Sequence, residues 1–165
     1  MVPAAFPNNT VVAAGCLSAL VALVAAALQV PFQRIAASFG KAPVMAVGLS
    51  AFGGFGALCL SVKDEAQLAA YLPLVMCYVL HGVGRACFEG INKALYADFF
   101  KSHTEAAFAN IVLANGVASA AAYFAFPELG RQLMATFALV SAIVAISCYA
   151  FAEILHRRES LLRVR

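Results

Sequence analysis

The sequence predicts an all-α, polytopic membrane protein: a single helical membrane domain, residues 1–165, with about five transmembrane helices. Two observations carry that prediction. The first is composition. Of 165 residues, 64% are hydrophobic and 12% are charged, with a mean hydropathy of +0.88. Soluble domains are about 45–50% apolar and about 25% charged, so half the usual charge is left to cover a water-facing surface. The second is patterning. Apolar stretches at about 10–32, 44–62, 68–90, 106–126 and 132–154 each lie near the roughly 20 residues that cross a hydrocarbon core. Barrel strands would alternate every second residue over about ten residues. Helices satisfy all backbone polar groups internally, which a bilayer demands.

The first stretch follows "MVPAAFPNNT", which lacks the positive n-region of a signal peptide. It therefore reads as a membrane helix that stays. Asn8 opens an Asn-Asn-Thr sequon that lies too near the membrane for glycosylation. The second stretch is the shortest. Its Gly48, Gly53, Gly54 and Gly56 are expected to let helices approach closely. The third carries a polar ladder and the fourth carries Asn110 and Asn115. The connections "QRIAASFGKAPV", "VKDEAQ", "KSHTE" and "PELGR" are short, and Pro31, Pro43, Pro73 and Pro127 punctuate the span ends. The five cysteines, at 16, 59, 77, 87 and 148, all fall in apolar spans without a CxxC spacing. They read as small buried hydrophobes, with no metal or redox site.

Five spans put the termini on opposite sides. Arg34, Lys41, Lys93, Lys101, Arg157, Arg158, Arg163 and Arg165 sort to one side, and Lys63 and Arg131 to the other. An excess of Lys and Arg marks the cytoplasmic side. The C-terminus and the 33–43 and 97–105 connections are thus expected there. The basic tail reads as a topology anchor touching anionic headgroups, and not as a nucleic-acid surface.

In the third stretch His81, Arg85, Glu89 and Lys93 follow at four-residue steps and form one slanting helical stripe. Counted from Leu68 at about 1.5 Å per residue, Arg85 lies roughly 25 Å in and Glu89 roughly 31 Å in. Lys93 falls outside the span. Charges at membrane depth normally face the bundle interior and pair, and Arg85 and Glu89 are spaced to pair along the helix. Two readings stand: a structural tie between a helix end and its neighbour, or a substrate or gate contact. Asn110 and Asn115 read as hydrogen-bonding glue to a neighbouring helix, with ligand contact as the other role. No zinc-protease, nucleophile-elbow, phosphate-loop or paired-carboxylate motif occurs. Neither enzyme activity nor a cofactor nor a metal site is therefore expected.

"GRACFEGINKALYADFFKSHTEAAFANIVLANGVASAAAYF", residues 84–124, resembles the uncoordinated-93 family of the major facilitator superfamily. "NKALYADFF" followed by "EAAFAN" is the specific part. "PFQRIAASFGKAPVMAVG", residues 31–48, is similar to the basic cytoplasmic turn of that superfamily, here with Arg34, Gly40 and Lys41. The acidic partner found in that loop in the family is absent from it here. The resemblance implies helices eight to twelve of a facilitator fold, without the N-terminal half. It implies a transport-related or channel- or receptor-regulating role exercised with a missing half or a partner. The alternative is a small accessory subunit of a larger membrane, for instance bioenergetic, assembly. The implied partners are the lipid bilayer and other membrane chains.

Overall fold

A computed structural model describes residues 10–62 and 71–163. Asn8, the 63–67 connection and Arg165 lie outside the described residues. The described chain is helical, with no strand. In order it forms α1 (Thr10–Phe39), α2 (Ala42–Ser61), α3 (Tyr71–Ala86), a π turn (Cys87–Asn92), α4 (Lys93–Phe99), α5 (Thr104–Ala125), a 3-10 turn (Phe126–Glu128) and α6 (Arg131–Arg163). Five spans are long and apolar enough to cross a membrane: Val12–Phe39, Ala42–Ser61, Leu72–Phe99, Thr104–Glu128 and Arg131–His156.

The spans match the expected number, but three run longer than hydropathy alone marks. α1 continues past residue 32 to Phe39, so Pro31 lies inside the helix and not at its end. A proline there removes one i→i−4 bond and bends a helix; the buried Phe32 beside it holds the segment against the core. The third span does not stop near residue 90. It passes through the π turn and ends at Phe99, because a widened turn re-spaces the backbone bonds without ending them. α6 likewise runs on beyond residue 154. Pro43 does stand at the first turn of α2, where its missing N–H costs nothing.

α3 packs between α1 and α2, and α2 packs on its other flank against α6. In lipid there is no hydrophobic drive between helices, so close packing holds them together. The glycines set that closeness. A Cβ on Gly56 would stand 2.9 Å from the Leu139 amide nitrogen and 3.1 Å from the Ala135 carbonyl of α6. A Cβ on Gly48 would collide with the Cys87 side chain, where the π turn begins. Around that contact Val44, Ala86, Cys87 and Ile91 form the buried core, with Ala25 and Phe32 from α1. The glycine-rich second span was expected to allow this approach, and Gly48 and Gly56 are the positions where it occurs.

The α1–α2 turn needs its glycine for another reason. Gly40 adopts φ +86°, the left-handed conformation that ends many helices and that side chains with a Cβ resist.

Candidate functional site

Contacts between connections define two ends of the bundle. At one, Lys41 of the α1–α2 turn forms an ion pair with Asp98 of α4. Its Nζ also donates to the Ala94 carbonyl at 2.8 Å. There too the ring of Phe99 meets that of His156 on α6, with centroids 4.6 Å apart. Ala36, Phe39, Asp98, Glu153 and His156 line a cavity of about 300 Å³ beside this pair. At the other end Arg131, which opens α6, donates through Nη1 to the carbonyls of Val62 (2.7 Å) and Cys59 (3.3 Å). A cation there satisfies carbonyls that the last turn of α2 leaves open and opposes the helix dipole. Arg34 near the end of α1 and Lys101 just after α4 lie toward the same end as Lys41.

The polar ladder is only partly built. Arg85 Nε donates to Glu89 Oε1 at 2.7 Å, the pairing along the helix that the spacing allows. Lys93 is exposed and lies beyond the π turn, which interrupts the four-residue phase after Glu89. The stripe also faces outward. The side chains of Arg85 and Glu89 are 47% and 43% exposed, and His81 is exposed as well. This corrects the expectation that these charges turn inward. The inner face of the helix is taken by Gly82, Gly84, Ala86 and Cys87, all buried, because α1 and α2 come too close there for longer side chains. A Cβ on Gly82 would meet Val24 of α1 at 2.8 Å. Arg85 therefore ties its own helix and not a neighbour; Lys41–Asp98 is an ion pair that joins two elements.

His81 packs edge-on against Phe52 and Phe55 of α2, with ring centroids at 6.0 and 6.1 Å. Phe52 reaches it only because Gly84 has no side chain: a Cβ there would lie 2.7 Å from the ring. Phe52 thus fixes the imidazole on the same face as the Arg85–Glu89 pair.

Asn110 and Asn115 do not join this stripe. Both are exposed on α5, whose packing is confined mainly to α4 and the 3-10 turn. Arg34 is exposed on the last turns of α1. Of the loop residues the sequence singled out, Gly40 shapes the turn and Lys41 carries the contact.

Three polar side chains of this arrangement had no sequence signal. Gln29 of α1 donates through Nε2 to the Ala86 carbonyl at 3.3 Å, just before the π turn, and lies against Gly90. Asp98 of α4 is the acidic partner of Lys41. Arg131, counted only as a topology charge, caps α2. Each depends on contacts across more than 50 residues, which spacing within one helix does not reveal.

Among the described residues no group of three or more His, Cys, Asp or Glu side chains is placed to hold a metal ion. Comparison with family models, with curated proteins and with solved structures gave no match.

Proposed function

We propose that this chain is a non-catalytic, uncoordinated-93-like membrane protein, transport-related or regulating a channel or receptor, that works against a second helical half or partner. One observation carries the reading. A charged pair, Arg85–Glu89, sits within a membrane-spanning helix on an open face of the chain. A charge in hydrocarbon costs roughly 2.5–3.5 kcal/mol on insertion scales, and such groups are retained facing protein or a water-filled path. A face of this kind calls for a cover or for a path. The 84–124 stretch, which carries the family likeness, includes both charges. The end bearing Arg34, Lys41, Lys93 and Lys101 is taken as cytoplasmic, on the excess of basic residues there.

The second reading, a small accessory subunit of a larger membrane complex, is favoured by α5, whose span is only 6% buried. Extraction in mild detergent followed by mass measurement tests the shared premise. A chain that migrates alone at its own mass at every detergent concentration removes both readings. Charge variants then separate them. If Arg85→Glu with Glu89→Arg restores the expression lost in either single reversal but leaves function dead, the pair belongs to a transport or gating path. If the swap restores assembly and function together, the pair is structural and the accessory reading stands.

A further inference from the structure

The sequence gives the five cysteines no pattern, yet the fold brings two of them together. Cys59, near the end of α2, and Cys77, in the second turn of α3, face each other with Sγ atoms 3.9 Å apart. They are 18 residues apart in the chain, so this is a contact between helices. Both are free and buried and share a small core with Ala135 of α6, flanked by Phe55, Leu58 and Tyr78. A disulfide requires sulfurs about 2.05 Å apart, so each must move by about 1 Å. The other cysteines are not so placed. Cys87 donates to the Val44 carbonyl and touches Met45 Sδ, and Cys16 and Cys148 are exposed on outer faces.

Position along the membrane normal gives this contact its meaning. Cys59 lies two residues before the last residue of α2, and its carbonyl is one of those capped by Arg131. The pair is therefore within about a turn or two of the helix ends. It sits at the end opposite the Lys41–Asp98 tie, the end poor in basic residues.

We propose that Cys59 and Cys77 are a disulfide site that locks α2 to α3 at the non-cytoplasmic end of the bundle. The compartment part rests on the orientation proposed above, since disulfides form and persist in oxidising compartments. The co-reactant is a disulfide-bearing oxidant. One cysteine thiolate attacks it, giving a mixed disulfide and releasing one thiol. The second cysteine thiolate then attacks its neighbour's sulfur, forming the Cys59–Cys77 bond and releasing the second thiol. The two cysteines lose two electrons and two protons, and the oxidant is reduced to two thiols.

The test uses the full chain with Cys16→Ala and Cys148→Ala, to exclude bonds between copies. Purified in detergent, it is treated with the small apolar disulfide 4,4′-dithiodipyridine, then alkylated and digested. The expected result is a linked peptide pair containing Cys59 and Cys77, lost on reduction, with both thiopyridone groups released. In Cys59→Ser the expected product is a stable mixed disulfide on Cys77, and in Cys77→Ala one on Cys59. If the double-alanine chain also ends as separate mixed disulfides on Cys59 and Cys77, the proposal is overturned. In native membranes, acid-quenched and alkylated before lysis, the pair is expected to resist alkylation until reduced. Freely alkylated thiols there overturn the disulfide as a property of the protein in its membrane. A terminal tag read from intact cells keeps orientation separate: a C-terminus found outside removes the orientation, while the detergent result still decides the bond.

Discussion

The span formed by α3, the π turn and α4 and the span formed by α5 are both strongly apolar, yet they are packed in opposite ways. In the first, 39% of the most apolar window is buried; in the second, 6%. Hydropathy does not separate them, because lipid and protein interior are alike to an apolar side chain. Small residues do not separate them either. At Gly82, Gly84 and Gly90 of the first span a neighbouring side chain stands 2.8, 2.7 and 2.6 Å from where a Cβ would be, too close for any side chain, whereas Gly116 of α5 has nothing within 4 Å of that point. A glycine marks a close approach only when a partner is there. α5 therefore leaves Ala114, Asn115, Gly116 and Ala118 exposed, while one face of α3 is packed against α1 and α2 within the chain.

The largest expected effect tests that contrast directly. Gly56→Leu drives a side chain into backbone atoms of α6, which cannot rotate away as a flexible side chain would. Overpacking costs typically about 1–3 kcal/mol and sometimes more, and here the helices must part. We expect loss of about 3 kcal/mol or more, seen as failure to accumulate or a collapsed thermal midpoint in detergent. Gly116→Leu in the isolated chain is expected to change stability by no more than about 0.5 kcal/mol. The same variant in native membranes is expected to lose any partner seated on α5. Equal thermal midpoints for the two variants would erase the difference between the regions.

A smaller effect is expected at the α1–α2 turn. Gly40→Ala forces a Cβ into the left-handed conformation at φ +86°, at a cost of about 1–2 kcal/mol. No neighbour lies within 4 Å of that Cβ, so the loss is conformational and not steric. Gly40→Asn is then expected to recover part of it, since Asn tolerates that region. Chemical denaturation of the three chains in one detergent checks the order Gly, Asn, Ala; an alanine variant as stable as the parent would count against the turn geometry.

The number of spans, the helical class and the close approach at Gly48 and Gly56 were legible in the sequence, because apolar length and glycine content are local properties. The Arg85–Glu89 pair was legible for the same reason: both ends lie on one helix. The outward direction of that pair was not, since it depends on which face Gly82, Gly84 and Ala86 surrender to α1 and α2. The end of the third span was misplaced at residue 90 because nothing in "CFEGIN" announces a π turn that keeps the helix going. Asp98 could not be matched to Lys41 by looking inside the 31–48 segment, since it comes from α4. Cys59 and Cys77 could not be paired by spacing, because their meeting belongs to the packing of α2 on α3.

The smallest effect concerns the tie at the other end from the cysteines. Lys41 and Asp98 have side chains 26% and 51% exposed, and exposed ion pairs are worth about 0.2–1 kcal/mol. The two residues are not equivalent, however. Lys41 also holds the Ala94 carbonyl, so Lys41→Ala removes two contacts and Asp98→Ala one. A double-mutant cycle isolates the shared one. We expect Lys41→Ala to cost more than Asp98→Ala, with a coupling no greater than about 1 kcal/mol that shrinks as salt is raised from low to physiological strength, where charges are screened over about 8 Å. A coupling of zero at low salt would show that the turn is held by Gly40 and the Ala94 contact alone. The basic end would then owe its geometry to the backbone conformation of Gly40, whereas the α2–α6 contact at Gly56 rests on the absence of a Cβ, and the charges at the basic end would serve orientation only.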